Sequence, residues 1–512
     1  MLLLSRSAAV VTLLFLIIPA GCASIPESIK HPVETVTIPS SSQLSRMLDR
    51  SLPEAPKQAM STALIQNGGW EAFAQRLALI ETAQHSIDVQ YYIWNGDRSG
   101  RFLAKRLFAA AERGVQVRIL LDDINLDGRE AMLATMDRHP RIDIRIFNPV
   151  PGREGFAKWV SVLSDFSRYN RRMHNKSFTV DGVLSIVGGR NIGDEYFDLS
   201  DSLNFRDRDV LVSGAVVEDI RESFLQYWNG PWSYPISVLS ERISTDMQRL
   251  ADTVAPEYRN HSPLPIGAEE ATEFLSERMS KSRWVSARFV NDPAVPDDAD
   301  NTSEPKVVAR SLAELAKEAE RQVLVESAYL IFDDRQLTEL KQLASRGIDI
   351  KTLTNSMASN DLLTNHSGYA ARRRDMLTSG MQLYELKPDA PLCVASTDDP
   401  ARCAPTAAYG LHAKSVVFDR SIACIGSFNL NLRSTYLNTE SLLVIDDAVI
   451  AEQLAGEIEE AMMEENSWRL ELQEGQLRWV SGAQSWDSDP QTGRWERFKS
   501  QLLQLLPIEK YL

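Results

Sequence analysis

The sequence has only four cysteines among its 512 residues. They form no C-x-x-C pair and no cluster with histidine, so the usual ligand pattern of a zinc site is missing. Cys393 and Cys403 bracket the polar segment CVASTDDPARC, which predicts either a disulfide across this loop or two free thiols. Cys424 lies in the apolar segment SIACIG and is predicted to be a small core residue.

Positive charge is also scarce, because 55 Lys and Arg residues stand against 70 Asp and Glu residues, which gives a net charge of -15 at pH 7. A surface with this excess of negative charge repels a polyanion, so no nucleic-acid partner is expected. The chain is 44% hydrophobic and 24% charged, which is typical of a folded protein. The chain is longer than the segments that usually fold around a single hydrophobic core, which predicts two domains or lobes.

A hydrophobic run long enough to cross a membrane is missing near the start of the chain. The apolar run over residues 8–18 is shorter than the roughly 20 residues that a spanning helix requires. Because Arg6 precedes this run and small residues follow it, the pattern predicts an export signal over residues 1–21.

The residue after this signal, Cys22, makes the segment similar to a bacterial lipobox, although Pro19 stands where such boxes usually have Leu. The resemblance implies an exported cell-envelope protein that is anchored at the periplasmic side of a membrane as a lipoprotein. Ordinary cleavage nearby, which yields a soluble periplasmic protein, is the alternative. Residues 22–60 are rich in Ser and Pro and predict a tether.

An internal repeat organises the rest of the chain. In the first half, HSIDVQYYIW is followed by the helical stretch GRFLAKRLFAAAERG and then by RIDIRIFNP; in the second half, RQVLVESAYLIF is followed by RQLTELKQLASRG and then by GMQLYELKP. Short apolar strands that alternate with helices of 3.6-residue periodicity are typical of βαβ units. The sequence therefore predicts an α/β fold of two lobes, each with a mixed or mostly parallel sheet flanked by helices.

The boundaries of these units follow from shifts in composition. We predict an N-terminal lobe over residues 61–235 and a C-terminal lobe over residues 301–465. Residues 236–300 are polar and contain several prolines, which predicts a linker or insertion. Residues 466–512 are predicted to be a C-terminal extension that includes an amphipathic helix.

Two segments, MHNKSFTVDG and LHAKSVVFDR, start the same polar pattern in the two halves. Each has a His, a Lys two residues on, an Asp five further, and later a Gly and an Asn at equal offsets: His174, Lys176, Asp181, Gly188 and Asn191 in the first half, His412, Lys414, Asp419, Gly426 and Asn429 in the second. Alternation along a strand places His and Lys on one face, where they suit a phosphate group. Imidazole can act as nucleophile or proton carrier near neutral pH.

The other members of the pattern have expected roles of their own. Asp181 and Asp419 are predicted to hold the back of an imidazole in the required tautomer, and the two asparagines to donate to a phosphate oxygen. A single H-x-K pair is usually chance, and a single Asp after a strand is most often a turn former. Two copies on duplicated halves favour a functional site.

Both patterns resemble the paired HKD motifs of the phospholipase D superfamily, and they match at every motif position. The segments DVQYYIW, GGRNIGDEYF and GSFNLNLRSTYLNTE are similar to the C-type bacterial cardiolipin synthases and related envelope phospholipase D-like proteins. The resemblance implies two lobes, related by a pseudo-twofold axis, that share one active site.

The resemblance also implies a reaction. His174 attacks the phosphorus of a phosphodiester and forms a phosphohistidine, while His412 acts as acid and then as base; the reverse assignment stays open. Lys176, Lys414, Asn191 and Asn429 are expected to stabilise the charge on the phosphoryl oxygens, with no metal and no cofactor.

Further candidates carry two interpretations each. Asp207 and Glu440 either orient a histidine from behind or are solvated loop carboxylates. The arginines before the first motif (Arg168, Arg171 and Arg172) either steer an anionic headgroup or pair with carboxylates. Tyr91, Tyr92 and Trp94 either line an acyl entrance or, as we expect more strongly, pack in the core.

The C-terminal segment WERFKSQLLQLL places Trp495, Phe498, Leu502 and residues 505–506 at helical spacing. Such an apolar stripe either lies on a bilayer or packs on the protein body, and packing on the body is the expectation favoured here.

The substrates follow from the resemblance alone. It implies a phosphatidyltransferase that passes a phosphatidyl group to phosphatidylglycerol and makes cardiolipin at a membrane surface, with phosphatidylglycerol or phosphatidylethanolamine as the donor. A phospholipase D that hydrolyses phospholipids to phosphatidic acid is the alternative, and an envelope nuclease is less favoured. A non-enzymatic lipoprotein is disfavoured because both motifs are intact. The oligomeric state stays open.

Overall fold

The computed structural model describes residues 33–34, 41–52, 61–126, 129–151, 165–240, 261–295, 303–505 and 509–511. The predicted export signal, Cys22 and most of the predicted tether lie outside the described residues. Among the residues described, no helix is long and apolar enough to cross a membrane.

The first lobe is built from nine strands and seven α-helices within the described residues. Its strands are β1 (Ser61–Gln66), β2 (Ser86–Tyr91), β3 (Gln116–Asp122), β4 (Ile142–Phe147), β5 (Ser177–Val180), β6 (Leu184–Gly188), β7 (Leu203–Arg206), β8 (Asp209–Gly214) and β9 (Ser233–Pro235). Its helices are α1 (Gln43–Ser51), α2 (Gly69–Thr82), α3 (Arg98–Glu112), α4 (Glu130–Met136), α5 (Phe166–Tyr169), α6 (Val216–Trp228) and α7 (Ile236–Leu239).

The remaining elements belong mainly to the second lobe. The helices are α8 (Ala268–Ser280), α9 (Val307–Glu318), α10 (Asp334–Ser345), α11 (Leu363–Thr378), α12 (Leu392–Ser396), α13 (Leu432–Tyr436), α14 (Ala448–Met462) and α15 (Arg494–Leu503). The strands are β10 (Arg283–Asn291), β11 (Gln322–Ser327), β12 (Asp349–Asn355), β13 (Gln382–Leu386), β14 (Ala408–Leu411), β15 (Lys414–Phe418), β16 (Ile422–Gly426), β17 (Ser441–Asp446), β18 (Ser467–Gln473), β19 (Gln476–Ser481) and β20 (Gln484–Trp486).

Equivalent helices in the two lobes begin and end with the same local signals. Helix α3 begins at Asp97, whose side chain accepts from the Gly100 amide, and α10 begins at Asp333 with a capping box. Both helices are followed by a glycine at positive φ, Gly114 at 103° and Gly347 at 85°, a conformation that ends a helix without a side-chain clash.

The two lobes repeat one sheet topology. The first sheet has the order β1-β8-β6-β5-β2-β3-β4-β9, and the second has β10-β17-β16-β15-β11-β12-β13-β18, extended by β19 and β20. Within these two sheets, over the described residues, only the runs β2-β3-β4 and β11-β12-β13 are parallel. A separate parallel pair joins β7 of the first lobe to β14 of the second. The predicted two-lobed α/β fold is confirmed, and of the two sheet types expected, the sheets are mixed and not mostly parallel.

The lobes meet along their equivalent edge strands. Strands β1 and β10 pair antiparallel, with Ser61 opposite Val285, as a twofold relation between the lobes requires. A buried apolar cluster continues across this junction and joins Val210 and Val212 of the first lobe to Leu324 and Leu443 of the second. Burial of each such side chain contributes about 1.5–3 kcal/mol, so the shared core holds the lobes together.

Two of the predicted segments contain strands of the second sheet. The linker over residues 236–300 contains α8, which packs on α1 and α2, and β10, which is a strand of the second sheet. The extension over residues 466–512 begins with β18, which pairs with β13. Cys393 and Cys403 form a disulfide, and Cys424 is buried.

Candidate active site

The first residues of the two motifs are fixed by backbone contacts between the lobes. The His174 amide donates to the Thr439 carbonyl at 2.9 Å, and the Thr439 amide donates to the Arg172 carbonyl at 2.9 Å. In the mirror arrangement, the His412 amide donates to the Arg206 carbonyl at 2.8 Å. Each histidine therefore stands just before a central strand of its own lobe while the other lobe holds its backbone.

Both histidines line one cavity of about 540 Å³, together with Asn191 and Asn429. The structure thus brings the two motifs, which are more than two hundred residues apart in sequence, into a single site. This is the single shared site that the resemblance to the phospholipase D superfamily implies.

A carboxylate from the opposite lobe engages the back of each imidazole. Glu440 Oε2 lies 2.8 Å from His174 Nδ1, and Asp207 Oδ2 lies 2.5 Å from His412 Nδ1. Both carboxylates are buried, so of the two interpretations given for Asp207 and Glu440, the structure contains the histidine contact and not a solvated loop. A carboxylate on Nδ1 sets the tautomer and leaves Nε2 for chemistry.

The two carboxylates are themselves held in place differently. Glu440 accepts from Ser427 Oγ at 2.5 Å and from Ser434 Oγ at 2.6 Å. Asp207 Oδ1 accepts from the Arg208 amide at 2.7 Å. The first lobe has Gly189 where the second has Ser427, and a Cβ at Gly189 would lie 2.2 Å from Asp207 Oδ1. The glycine is needed because the Asp207 carboxylate occupies that space.

Burial sets the charge of the histidines. It lowers the pKa of His174 to about 4 and, together with neighbouring Lys414, that of His412 to about 3. Burial works to raise the pKa of Glu440, but His174 and Lys176 outweigh it and lower that pKa. Without a bound ligand, both imidazoles are neutral at pH 7 and both supporting carboxylates are ionised.

The motif lysines lie directly behind the histidines. Lys176 Nζ donates to the His174 carbonyl at 2.6 Å, and Lys414 Nζ donates to the His412 carbonyl. Burial lowers the pKa of Lys176 to about 7 and that of Lys414 to about 8. Neither lysine is among the described residues that line the cavity, so each lies behind its histidine as seen from the cavity.

The two motif asparagines differ in their contacts. Asn191 Oδ1 accepts from the Ile93 amide at 3.2 Å, and its Nδ2 donates to Tyr196 Oη at 3.0 Å. Asn429 is buried at the cavity wall, and among the described residues its Oδ1 has no hydrogen-bond partner. The side-chain oxygen of Asn429 therefore lacks the hydrogen bond that the side-chain oxygen of Asn191 accepts.

The predicted role of Asp181 and Asp419 is wrong. Asp181 accepts from the backbone amides of Gln84, His85 and Ser86, and Asp419 accepts in the same way from residues 320–322. Seven residues of extended chain separate each of them from its histidine, which is about 23 Å at 3.3 Å per residue. Both stand at φ 51° in the hairpin turn, where they tie the turn to the neighbouring strand.

The arginines before the first motif pair with groups of the first lobe. Arg172 lines the cavity and donates to Asp122 Oδ1 at 3.1 Å. Arg168 donates to Asn148 Oδ1 at 3.2 Å and to Tyr234 Oη. Arg171 is buried. Of the two interpretations, pairing with a carboxylate is therefore observed for Arg172, whereas these two partners of Arg168 are an amide oxygen and a phenol oxygen.

Sequence reasoning missed a further cation in the cavity wall. Arg433, in the segment NLNLRS after the second motif, donates to Asn170 Oδ1 at 2.9 Å and lines the cavity. Asp361 also lines it and accepts from Tyr329 Oη at 2.9 Å. The family resemblance covers the segment that carries Arg433. The contact of Arg433 with Asn170 depends on how the lobes meet, so the sequence does not predict it.

The aromatic residues after β2 divide between the two interpretations given for them. Tyr92 lines the cavity with its ring 4.8 Å from the His174 ring. Tyr91 is buried and accepts from Arg76, and Trp94 donates to the Gly100 carbonyl. Core packing is therefore observed for Tyr91 and Trp94 but not for Tyr92.

Two repeated lobes, a shared cavity and paired histidines held by carboxylates define an enzyme of the phospholipase D type. The family described as "Cardiolipin synthase, PLD-like domain" matches residues 77–228 and 312–462, together more than half of the chain. The chain belongs to this family.

Individual relatives extend the match to nearly the whole chain. It is 35% identical over 451 residues to "Cardiolipin synthase C" of Escherichia coli (strain K12), covering 86% of this chain and 93% of that protein. It is 27% identical to "Cardiolipin synthase" of Geobacillus kaustophilus (strain HTA426) over 75% of this chain and 62% of that one. The phosphatidylserine synthase structure from Haemophilus influenzae Rd KW20 covers 92% of this chain and 100% of its own, with a TM-score of 0.57 and 13% identity, so it supports the fold alone.

Proposed function

We propose that this chain transfers a phosphatidyl group to the hydroxyl of phosphatidylglycerol and so makes cardiolipin, with His174 as the covalent carrier. The observation that carries the proposal is the pair of carboxylate-held imidazoles, one from each lobe, in a single cavity. A double displacement at phosphorus requires one nucleophile and one proton carrier on opposite sides of the reacting atom.

In the first step, His174 Nε2 attacks the phosphorus of the donor phospholipid. The bond from phosphorus to the headgroup oxygen breaks, and His412 gives its proton to that oxygen. His412 is neutral in the empty cavity, but an anionic phosphodiester beside it, with Asp207 behind it, favours its protonation. The buried ammonium groups of Lys176 and Lys414 stabilise the negative charge on the phosphoryl oxygens.

In the second step, a hydroxyl of phosphatidylglycerol enters the site that the first alcohol has left. His412 removes the proton from this hydroxyl, its oxygen attacks the phosphorus, and the bond from phosphorus to His174 breaks. Neutral His174 and protonated His412 are restored. Water in place of the lipid hydroxyl would give phosphatidic acid, and the same histidines would serve that reaction.

The choice of a lipid acceptor is supported by the relatives. Two proteins named as cardiolipin synthases align with three quarters or more of this chain, and the Escherichia coli protein aligns over 93% of its own length. The donor, phosphatidylglycerol or phosphatidylethanolamine, is left to the experiment.

Product analysis tests this proposal. The purified full chain is incubated with vesicles of phosphatidylethanolamine, with and without phosphatidylglycerol, and the lipids are identified by mass. We expect cardiolipin whenever phosphatidylglycerol is present. His174→Ala and His412→Ala are expected to abolish it, whereas His139→Ala, which changes a histidine paired with Glu112 outside the cavity, retains it. Phosphatidic acid as the sole product would replace the synthase by a hydrolase.

We also propose that the chain is exported and held at the periplasmic face of a membrane by a lipid on Cys22. The leader pattern of the sequence supports this location, which suits a phospholipid substrate. Cells grown with a labelled fatty acid are expected to yield labelled protein that fractionates with the envelope. The Cys22→Ser protein loses the label; a wild-type chain without label would contradict the anchor.

A further inference from the structure

Helix α15 presents an apolar stripe to solvent. The stripe is defined by Trp495, Phe498, Leu502 and Leu505, which are 66%, 52%, 57% and 78% exposed. Their spacing of three, four and three residues places them on one face of the helix. The expectation that this stripe packs on the protein body is therefore wrong.

The opposite face of the same helix attaches it to the protein. Ser500 is buried and its Oγ lies 3.1 Å from Ser367 Oγ on α11. At 100° per residue, Ser500 lies about half a turn from the centre of the stripe. The helix is thus seated through a small polar residue and holds its large apolar residues outward, which is the reverse of an ordinary surface helix.

The helix that carries the stripe is seated on a helix that lines the catalytic cavity. The first turn of α11, on which α15 is seated, contributes Thr364 and Asn365 to the cavity wall. Large hydrophobic residues that are between 42% and 47% exposed also line this cavity, and we call them the rim: Ile124, Phe166, Leu362 and Tyr511. Exposed apolar residues are therefore found both at the cavity and on the helix beside it.

The charge of α15 is opposite to that of the whole chain. Its ten residues contain Arg494, Arg497 and Lys499 against the single carboxylate of Glu496, whereas the chain carries a net charge of -15. Arg494 and Lys499 flank the stripe, where long cationic side chains can reach lipid phosphates while their stems lie along apolar groups. Aromatic and leucine residues on one face with basic residues beside them are typical of helices that lie in a membrane interface.

We propose that the stripe and the rim together form a docking surface for an anionic phospholipid bilayer, which seats the cavity mouth on its lipid substrate. The inference rests on the proposed function and adds how the substrate reaches the site. A second copy of this chain suits the surface less well, because a twofold contact would set the basic residues of α15 against themselves.

Insertion can be measured at single positions. In the full chain carrying Cys22→Ser, an environment-sensitive fluorophore is attached at Phe498→Cys or, as the matched control at the end of the same helix, at exposed Gln504→Cys, about 140° from the centre of the stripe. Cys424 is buried and unreactive. Vesicles of phosphatidylglycerol are expected to shift the emission of the label at 498 to the blue and to leave the label at 504 unchanged. No shift at 498, equal shifts at both positions, or a shift at 498 on raising the protein concentration without vesicles would overturn the proposal.

Turnover gives an independent measurement. We compare Phe498→Glu/Leu502→Glu with Gln501→Glu/Gln504→Glu, which makes the same charge change on the same helix. The first variant is expected to lose at least about tenfold in rate on phosphatidylglycerol vesicles, while its rate on a short-chain, water-soluble phosphodiester stays unchanged. Equal rates of the two variants on vesicles would overturn the docking surface. The two measurements separate the docking surface from the proposed function, because the blue shift reports membrane contact and turnover reports catalysis. The labelled protein with His174→Ala is therefore expected to keep the blue shift and to lose turnover.

Discussion

Glu440 and Asp207 each support a histidine that belongs to the other lobe, at Nδ1 distances of 2.8 and 2.5 Å. An ionised carboxylate at this position keeps Nε2 free and stabilises the imidazolium that forms when the ring takes up a proton. Neither residue lies in the repeated motif, and each is positioned by a different set of donors. In the proposed function they are positioning residues for the two motif histidines.

Removing one of these carboxylates is expected to disable proton transfer without unfolding the chain. Asp207→Asn replaces an acceptor by an amide that can present a donor to His412, which favours the wrong tautomer and is expected to lower kcat by about 10³-fold. The measurement is kcat on a soluble phosphodiester as a function of pH, with Asp207→Glu as the conservative control. A loss below about threefold, or an equal loss with both substitutions, would contradict this role.

The buried lysines predict a falling alkaline limb in the pH profile. Burial lowers the pKa of Lys176 to about 7 and that of Lys414 to about 8, so rising pH removes these charges well below the usual value for lysine. Because kcat/KM reports the free enzyme, it is expected to fall from about pH 7 to pH 9. Because His412, with a pKa of about 3 in the free enzyme, must take up a proton when the substrate binds, it adds its own decline of kcat/KM with rising pH, and the lysines are expected to steepen that decline above about pH 7.

A substitution checks the origin of this limb. In Lys176→Arg the guanidinium stays charged, so the remaining steepening belongs to Lys414 and moves upward toward its pKa of about 8, whatever rate the altered geometry costs. A wild-type profile that stays flat up to pH 9, or a steepening that Lys176→Arg leaves in place, would contradict the assignment.

At the scale of elements, the hairpin turns are tied down by the motif aspartates. Asp181 accepts from three consecutive amides that precede and begin β2, and Asp419 does the same before β11. The repeated pattern therefore combines two roles. Its histidine lines the cavity, and its aspartate fixes the hairpin turn at the opposite end of the same strand.

Asp181→Ala is expected to lower the free energy of unfolding by about 3 kcal/mol, because three backbone amides lose a charged acceptor. The folded variant should keep kcat/KM on a soluble ester within about threefold, since the carboxylate does not touch His174. Urea unfolding and steady-state kinetics measure the two effects separately. Wild-type stability combined with a large loss of activity would restore the catalytic interpretation.

The predictability of the elements varied with their burial. Strands β2 to β4 and β11 to β13 are apolar runs separated by helical segments, and this pattern predicts them from the sequence. In strands β10 and β18 apolar residues alternate with polar or charged ones, as in RWVSARFVN and SWRLELQ, because these strands are partly exposed. Such strands look like polar linker, which is why β10 fell in the predicted linker and β18 in the extension.

At the scale of the whole molecule, the active site exists only where the lobes meet. The repeat was enough to predict two lobes and the paired motifs were enough to predict the histidines, whereas the single shared site was implied by the resemblance to the phospholipase D superfamily. The cross-lobe partners were harder, since the contacts of Glu440 with His174 and of Arg433 with Asn170 join residues more than 250 positions apart. No local pattern records such distances, and the motif itself suggested the wrong carboxylates, Asp181 and Asp419.

The central chemical step of the proposed function is the transfer of the phosphatidyl group to a single histidine, His174, in the cavity that both lobes line. Rapid acid-free quenching during turnover of phosphatidylglycerol vesicles, followed by mass analysis of the peptides, tests it directly. We predict a phosphatidyl adduct on His174 that forms more slowly in His412→Ala, where the first step lacks its acid, and that is absent from His174→Ala. An adduct on His412, or turnover without any adduct on either histidine, would contradict the account.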